Sequence, residues 1–287
     1  MLATLFVALQ YLLPKHLLTA LIWHIARIRQ PAIKDFLITR FVGIYDVDID
    51  EVKQDVPGGF ETFNDFFVRE LLPEARPIDS RIDSIVSPVD GTVSIASTIR
   101  DTSIIQAKGI DYTLDDLLAT DLEQADAYID GTFATIYLAP YNYHRIHAPL
   151  DGELVAARYI PGDLFSVNEA TVARVNGLFR RNERLVMHFK TDRGPAALIF
   201  VGALNVGSIS TPWSGELRPQ KRGVVEVLDL STATTTIKKG DLLGWFNMGS
   251  TVILLMPSGT CEWGSDLRTG EALRMGEAIG QLSLATK

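Results

Sequence analysis

The sequence predicts an α+β fold, in which a largely antiparallel β body follows short amphipathic helices at the N-terminus. Two observations predict it. From residue 84 onward, short runs of apolar and β-branched residues alternate with turn residues, which is typical of antiparallel strands. The first 34 residues instead form longer apolar runs with no acidic residue among them. The chain has 287 residues, enough for one large domain with an appendage.

The N-terminal end contains two apolar runs, residues 1–13 and 17–26, which Pro14, Lys15 and His16 separate. Crossing the hydrocarbon core of a bilayer takes about 20 uninterrupted apolar residues, and proline breaks or kinks a helix. Neither run is long enough, so we expect two short helices and no transmembrane span. A signal peptide also fits poorly, because no Lys or Arg precedes the first run and no A-x-A-like site follows it.

The net charge is uneven along the chain. Residues 1–34 contain four basic and no acidic residues; since the whole chain carries −8, residues 35–287 carry −12. Helices that are apolar on one side and basic at their ends suit a membrane interface, so we expect residues 1–34 to be membrane-associating helices. The alternative is that they pack on the protein's own core or on a second subunit. The acidic body argues against nucleic acid as the main partner.

Residues 35–287 are predicted to form one domain, since no repeat, low-complexity stretch or linker divides them. The domain begins with a helical and then irregular region over residues 35–75. Two short helices are predicted within the body, one near residues 112–119 and one after Asn168. Strands are predicted over residues 84–89, 92–97, 132–139, 185–189, 196–204, 224–230 and 251–256.

Cys261 is the single cysteine, which excludes an internal disulfide and a cysteine-centred zinc site. A lone thiol is most simply a small buried side chain in a reducing compartment. Together with the poor fit to an export signal, this predicts a protein that faces the cytoplasm.

Two histidines, His144 and His147, occur in one short segment flanked by prolines and by Tyr141 and Tyr143. They are either two structural histidines or a general base and a general acid. No HExxH pattern and no obvious further ligands occur nearby, so no metal site is expected.

Asp90 and Ser250 are the other candidates for chemistry. Asp90 precedes Gly91 between two alternating runs, which alone indicates the turn of a hairpin. Ser250 follows Gly249 ahead of a predicted buried strand, where Gly249 could instead mark a bulge or a bend. No G-x-S-x-G nucleophile elbow occurs. Asp, His and Ser from three distant parts of a chain are nevertheless how a catalytic triad is assembled.

Several longer motifs occur along nearly the whole chain. They are FETFNDFFVRELLPEARPID (60–79), SPVDGTV (87–93), QAKGIDYTLDDLL (106–118), YHRIHAP (143–149), PGDLFSVN (161–168), NERL (182–185) and RMGEAIGQL (274–282). With Gly249-Ser250-Thr251, they make the chain similar to the bacterial, pyruvoyl-dependent phosphatidylserine decarboxylase proenzymes. The processing site of that family is familiar as Leu-Gly-Ser-Thr, and this chain has Met248 in place of the Leu. Such a swap conserves volume and typically costs less than about 1.5 kcal/mol.

The resemblance implies that the chain cleaves itself between Gly249 and Ser250, through a triad of Asp90, His147 and Ser250. His147, oriented by Asp90, would deprotonate Ser250, whose oxygen attacks the Gly249 carbonyl to give an ester. Glycine suits this position, since it has no Cβ and tolerates unusual backbone angles. Elimination and hydrolysis would then convert Ser250 into a pyruvoyl group.

The resemblance also implies what the pyruvoyl cofactor does, which is to decarboxylate phosphatidylserine to phosphatidylethanolamine. Its carbonyl condenses with the substrate amine to a Schiff base that acts as an electron sink. His144 is the candidate for assisting decarboxylation and the return of a proton. Ser166 and Asn168 are candidate partners of the substrate phosphate or carboxylate, although the same segment could cap the helix that follows.

The products of cleavage would be a β chain of residues 1–249 and an α chain of residues 250–287, held together because residues 251–256 form a core strand. The resemblance implies a homodimer of this α/β heterodimer, peripheral on the cytoplasmic face of the inner cell membrane, with phosphatidylserine in an anionic membrane as its partner. Two other functions stay open. A non-catalytic peripheral lipid-binding protein would leave the three residues as coincidence, and a lipid serine hydrolase would use them without self-cleavage.

Overall fold

The structure, a computed structural model, describes residues 2–107, 110–119, 125–204, 208–220 and 223–283. These residues form a mixed helical and antiparallel β structure, with the longest helices at the N-terminus. The predicted α+β class is confirmed at this level.

Three N-terminal helices precede the β body, namely α1 (Leu2–Leu12), α2 (Lys15–Ala26) and α3 (Pro31–Tyr45). As predicted, the helix breaks around Pro14, which precedes the first residue of α2. The chain bends by 91° between α1 and α2. Proline suits the first turn of α3, whose Ile33 amide donates to the side chain of Gln30. Short helices follow along the chain, among them α4 (Phe63–Phe67), α5 (Leu114–Leu118), α6 (Glu169–Val172) and α7 (Leu178–Arg181).

Among the described residues, the strands form four antiparallel sheets. The largest contains β2 (Gly91–Thr98), β5 (Thr132–Tyr137), β7 (Gly152–Ile160), β8 (Arg184–Thr191), β9 (Gly194–Val201), β12 (Glu226–Val227), β13 (Thr236–Ile237), β15 (Thr251–Met256) and β17 (Ala272–Leu273). The second contains β6 (Arg145–His147), β10 (Ile209–Thr211), β11 (Gly215–Leu217) and β14 (Leu242–Phe246). The other two are β1 (Ser84–Val86) with β16 (Cys261–Trp263) and β18 (Ala278–Leu282), and β3 (Ser103–Ala107) with β4 (Ile110–Thr113).

Strand β15 lies in the interior of the largest sheet, whose order is β12-β7-β8-β9-β15-β5-β2-β17, with β13 also pairing with β7. All six of its residues are buried. Val252 stands opposite Phe200 of β9 on one side and Ile136 of β5 on the other. A strand covered on both faces requires an unbroken apolar run, and the sequence TVILLM supplies it. The bond that precedes β15 is therefore held at the edge of the core.

Helices α1 and α2 pack on the β body with one face, where Val7, Gln10, Lys15, Thr19 and Ala26 are buried. The other face is apolar and exposed, with Leu5, Phe6, Leu9, Tyr11, Leu12, Leu13, Leu17, Leu21 and Ile25. Packing on the protein's own core, the alternative left open above, is thus observed for one face. Within the described part of the chain, no single helix is long and apolar enough to cross a bilayer; α1 and α2 reach that length and composition only together, across the 91° bend.

Two details differ from the predictions. The Asp90-Gly91 pair is not a hairpin turn, because β1 pairs with β18 whereas β2 pairs with β5 and β17. The runs on either side of Asp90 therefore belong to different sheets. Of the predicted strand over residues 224–230, only Glu226–Val227 pairs, as an edge strand on β7.

Candidate active site

Hydrogen bonds hold the chain on both sides of the Gly249–Ser250 bond, which lies immediately before β15. On one side, the Leu138 amide donates to the Ser250 carbonyl at 2.8 Å. On the other side, the Asn247 amide donates to the Ser208 carbonyl at 3.0 Å, and Asn247 Nδ2 donates to Ser208 Oγ at 2.7 Å. Buried polar groups that are fully paired fix the backbone that carries them, so the bond is presented in a defined orientation.

Ser250 is fully buried, and its Oγ has no hydrogen-bond partner within the described residues. Most buried hydroxyls have a partner, so an unpaired one calls for an explanation such as a catalytic role. Gly249 does not have a positive φ, so unusual backbone angles are not why glycine occurs here. A Cβ on Gly249 would lie 3.4 Å from His144 Nε2 and from the Leu138 carbonyl oxygen. The missing side chain leaves this side of the bond open toward His144.

His144 faces the bond as a neutral base. Its Nδ1 lies 2.8 Å from the Asn142 carbonyl oxygen, which can only accept, so Nδ1 carries the proton and Nε2 the lone pair. Nε2 has no partner among the residues the structure describes. Burial, assisted by the positive charge of Arg69, lowers the pKa of His144 to about 3. The ring lies 4.2 Å from that of Phe67.

Both ring nitrogens of His147 are engaged elsewhere. Nδ1 lies 2.8 Å from the Gly240 carbonyl oxygen, and Nε2 lies 3.0 Å from the hydroxyl of Tyr143. Nδ1 must therefore donate, and Nε2 accepts from the phenol. Burial lowers the pKa of His147, while the nearby charge of Asp90 acts in the opposite direction.

The Asp90 carboxylate is buried and binds Arg76 with both oxygens. Oδ1 accepts from Arg76 Nε and from the Met275 amide, each at 2.8 Å, and Oδ2 accepts from Arg76 Nη2 at 2.5 Å. Glu51 in turn accepts from Arg76 Nη1 at 2.7 Å and from Arg274. This network ties residues on both sides of the predicted cleavage site to one another.

The predicted triad is therefore not joined by hydrogen bonds in the part of the chain that the structure describes. Asp90 binds Arg76, His147 binds Tyr143, and Ser250 Oγ is unpaired. The histidine whose unpaired nitrogen faces the Gly249–Ser250 bond is His144. The assignment of Asp90, His147 and Ser250 to self-cleavage stays a prediction.

A cavity of about 210 Å³ borders Gly249. An apolar groove of about 240 Å³ between α2 and α3 adjoins it and shares Phe41, Tyr45 and Met248 with its lining. Arg40 is a charged residue in the lining of this groove. The cavity is lined by Phe41, Tyr45, Phe67, Tyr137, Leu138, Pro140, Ser166, Val167, Asn168, Ala203, Leu204, Met248 and Gly249.

Ser166 and Asn168, the predicted substrate contacts, both line this cavity. Asn168 also caps α6, since its Oδ1 accepts from the Thr171 amide at 3.0 Å and from the Thr171 hydroxyl at 2.9 Å. The capping role left open above is therefore observed for Oδ1, and the assignment of Ser166 and Asn168 as substrate contacts stays a prediction. The backbone amide of Ser166 donates to Gln10 Oε1 at 2.8 Å.

Arg69 is a buried cation near His144 that the sequence analysis did not single out. Its Nη2 donates to the Tyr141 carbonyl at 3.0 Å, and its guanidinium lies 5.2 Å from the Phe66 ring. Burial lowers its pKa to about 10, and its charge lowers that of His144. From sequence, a lone Arg beside Glu70 is typical of an exposed helical face; only the longer motif around it pointed to this segment.

Comparison with known proteins decides the family. The phosphatidylserine decarboxylase family profile matches residues 63–281, and a second profile, PSD, matches residues 5–46. The phosphatidylserine decarboxylase proenzyme of Saccharophagus degradans is 44% identical over 97% of both chains. That of Alcanivorax borkumensis is 44% identical over 96% of this chain and 95% of its own, and that of Methylococcus capsulatus is 43% identical over 96% of each.

The chain belongs to the phosphatidylserine decarboxylase family. The prediction of this family from the sequence motifs is confirmed. Phosphatidylserine decarboxylases are generally pyruvoyl-dependent, and the Gly249–Ser250 bond fits a pyruvoyl group made in place, because the hydroxyl of Ser250 is buried and unpaired within the described residues. In the same described ranges, no group of three or more His, Cys, Asp or Glu side chains is placed to hold a metal ion.

Proposed function

We propose that this chain decarboxylates phosphatidylserine to phosphatidylethanolamine, with a pyruvoyl group that it makes from its own Ser250. The observation that carries the proposal is the position of the buried Ser250 Oγ, which has no partner among the described residues and adjoins a glycine at the edge of a cavity. The substrate is the one named for the relatives compared above, which are phosphatidylserine decarboxylase proenzymes.

Self-cleavage needs only groups of this chain and one water molecule. Ser250 Oγ loses its proton to a base and attacks the carbonyl carbon of Gly249, and the C–N bond breaks as the acyl group moves from nitrogen to oxygen. Elimination across Cα and Cβ of residue 250 releases the Gly249 carboxylate and leaves dehydroalanine. Water then hydrolyses the dehydroalanine to the pyruvoyl group and ammonia.

We assign the base of this step to His147 and its electrostatic support to Asp90. The assignment requires Nε2 of His147 to exchange the Tyr143 hydroxyl for that of Ser250. The Gly240 carbonyl already holds the required tautomer, with the proton on Nδ1. Asp90 then acts through its charge, which favours the protonated imidazole that forms.

The α chain of residues 250–287 would stay bound after cleavage because it contributes an interior strand. All of β15 is buried between β9 and β5. The Met275 amide and the Arg274 side chain add polar contacts to Asp90 and Glu51 of the β chain. Removing these contacts would expose the core of the largest sheet, so dissociation is disfavoured.

In the decarboxylation step, a pyruvoyl carbonyl at position 250 would supply an electron sink for the electron pair left when CO₂ departs. Burial keeps His144 neutral at pH 7 and its Nε2 faces Gly249, so we assign it to assist decarboxylation and the return of a proton to the α-carbon. Ser166 and Asn168 Nδ2 would bind the polar headgroup in the cavity. The adjoining apolar groove, with Arg40 in its lining, would take an acyl chain.

The exposed apolar face of α1 and α2 supports a peripheral position on a membrane, where the lipid substrate resides. We place the protein on the cytoplasmic face of the inner cell membrane, in keeping with one buried, unpaired cysteine, Cys261. We further propose that two α/β heterodimers associate as a homodimer, as the family resemblance implies.

A gel and a mass spectrum test the proposal. Purified protein should give fragments of about 27 and about 4 kDa, whereas Ser250→Ala should stay one band. Ser258→Ala, which changes an exposed serine of the same α segment, should be cleaved normally. The small fragment should have no free N-terminal amine. If active wild-type protein runs as one full-length band, the decarboxylase mechanism is excluded in favour of a serine hydrolase; an uncleaved and inactive protein that binds vesicles would indicate a lipid-binding role.

A further inference from the structure

Gln10 is a fully buried polar residue in an otherwise largely apolar helix. Its side chain has 0% exposure. Its Oε1 accepts from the backbone amide of Ser166 at 2.8 Å, and its Nε2 donates to Thr171 Oγ1 at 3.0 Å. A buried carboxamide costs free energy unless its donors and acceptors are paired, so both contacts matter to where α1 sits.

The two contacts reach the two ends of one segment. Ser166 belongs to the loop of residues 161–168, which contributes Ser166, Val167 and Asn168 to the cavity beside Gly249. Thr171 belongs to α6, and its hydroxyl and amide are the groups that Asn168 Oδ1 binds. One side chain of α1 therefore contacts the loop directly at Ser166 and indirectly, through Thr171, at Asn168.

Other contacts between α1–α2 and this loop are made to residues that do not line the cavity. Lys15 Nζ lies 3.0 Å from Asp163 Oδ1 and 4.0 Å from the centre of the Phe165 ring. The rings of Tyr11 and Phe165 are 5.0 Å apart, edge to face. These contacts hold Asp163 and Phe165, whereas Gln10 reaches Ser166, which lines the cavity.

The body of the protein holds the loop from its other face. Asn182 Oδ1 accepts from the Phe165 amide at 2.9 Å, and its Nδ2 donates to the Phe165 carbonyl at 2.8 Å. Asn182, which lies between α7 and β8, thus fixes residue 165, and Gln10 of α1 fixes residue 166. Without the Gln10 side chain, the Ser166 amide would lose its acceptor, whereas Phe165, one residue earlier, would keep its contacts with Asn182.

We propose that Gln10 is a positioning residue, through which α1 sets the conformation of the loop of residues 161–168 and hence the headgroup side of the cavity. This goes beyond an anchoring role for the N-terminal helices. The link to catalysis rests on the proposed function, because it assumes that the cavity takes the phosphatidylserine headgroup. The link between Gln10 and the loop does not rest on it.

Amide hydrogen exchange tests the structural half, in a Ser250→Ala background that keeps the chain intact. Gln10→Met keeps the length of the side chain and removes both hydrogen bonds. We expect exchange of the Ser166 amide to become about tenfold faster, with the β15 amides unchanged. Thr4→Ala, which alters an exposed residue of the same helix, should leave Ser166 unchanged. Equal exchange at Ser166 in Gln10→Met and wild type would overturn the proposal.

Kinetics with a soluble short-chain phosphatidylserine, below its micelle concentration, test the functional half without a membrane. For the processed enzyme, Gln10→Met should raise KM about tenfold with a smaller change in kcat, and Thr4→Ala should change neither. A role in stability alone would lower the amount of folded enzyme and leave KM unchanged, which would contradict the proposal.

Gln10→Glu provides a conservative variant with a pH signature. A buried carboxyl is favoured in its neutral form, which can accept from the Ser166 amide and donate to Thr171 Oγ1 as the carboxamide does. The ratio of KM in Gln10→Glu to that in wild type should be near one at low pH and should rise as the new carboxyl ionises. A ratio independent of pH would count against positioning by hydrogen bonds. If wild-type protein shows no decarboxylation at all, the proposed function fails, while the exchange experiment still decides the role of Gln10.

Discussion

The hydroxyl of Tyr143 lies 3.0 Å from Nε2 of His147, and the two rings are stacked with their centres 5.7 Å apart. Nε2 of His147, which we assign as the acceptor of the Ser250 proton, is thus bound by the phenol of Tyr143, four residues earlier in the chain. Burial raises the pKa of Tyr143 to about 12, so the phenol keeps its proton and donates it to Nε2. If His147 is the base that activates Ser250, as proposed, Tyr143 would compete with Ser250 for its Nε2.

Replacing Tyr143 by Phe should therefore not slow self-cleavage, and we expect it to proceed as fast as or a few-fold faster than in wild type. The substitution removes the competing donor and keeps the ring that packs beside His147. Time courses of cleavage in freshly synthesised protein measure this directly. A clear slowing in Tyr143→Phe would show that the phenol assists His147 and does not compete with it.

Substitutions of His147 and His144 should affect two different reactions, self-cleavage and decarboxylation. We expect His147→Ala to remain one uncleaved chain, because it lacks the assigned base. His144→Ala should be cleaved but should lose roughly 10²–10⁴-fold in decarboxylation, the usual contribution of a placed acid or base. The opposite pattern, with His144→Ala uncleaved and His147→Ala processed, would assign the base to the nitrogen that faces Gly249 in the structure.

Stability should have a pH optimum set by buried neutral groups. Burial lowers the pKa of His188 to about 4, so between the ordinary histidine value of 6.5 and pH 4 the unfolded chain binds more protons. The free energy of unfolding should fall through this window as pH decreases, by at most about 1.4 kcal/mol per pH unit for this group. Urea unfolding of Ser250→Ala protein should show a shallower acid decline in His188→Gln. An unchanged slope would contradict the assignment.

The ionisation of Glu183 should make the free energy of unfolding depend on pH in the opposite direction to that of His188. Burial raises its pKa to about 8, so between the ordinary value of 4.5 and pH 8 the folded chain binds the extra proton. The free energy of unfolding should therefore fall as pH rises through this window. Glu183→Gln keeps an acceptor for the Tyr159 hydroxyl, which lies 2.6 Å away, and should be less sensitive to pH between 5 and 8. Urea unfolding at pH 5, 6.5 and 8 in the same Ser250→Ala background measures the difference.

Arg76→Gln should destabilise the protein strongly, because it leaves the buried Asp90 carboxylate without its cation. Breaking one side of a buried ion pair costs about 3–5 kcal/mol. Arg81→Gln is the matched control, since the Arg81–Asp79 pair is exposed and should matter little. Chemical unfolding compares the two variants. Equal and small effects would show that Arg76 does not hold Asp90.

Introducing acidic residues on the exposed apolar face of α1 and α2 should weaken membrane binding without unfolding the protein. Leu12 is 82% exposed and Leu17 is 68% exposed, so Glu at both positions removes apolar surface that is mostly exposed to solvent. We expect binding to anionic vesicles to weaken at least about tenfold. Ile82→Glu, at a residue 98% exposed outside the helices, should bind as wild type. Sedimentation with vesicles measures both, and equal binding in all three proteins would remove the membrane role of α1 and α2.

Much of the fold was predictable because local patterns agree with it. TVILLM is β-branched or apolar at every position, and it forms the interior strand β15. Pro14 lies at the break between α1 and α2. The hairpin expected at Asp90-Gly91 failed, because a turn signal does not say which sheet each flanking strand joins; β1 pairs with the distant β18.

The sequence by itself predicted the family, the antiparallel body and the broken N-terminal helices, because local motifs and local patterns indicate each of them. The assignment of Gly249–Ser250 as the cleavage site stays a prediction. Only the tertiary structure decided which groups meet. It pairs Asp90 with Arg76 and His147 with Tyr143, turns His144 toward Gly249, and places Gln10 on the loop of Ser166. Partners of this kind are selected by burial, since a polar group removed from water takes whichever donor or acceptor the packing brings near, however far away it lies in the chain.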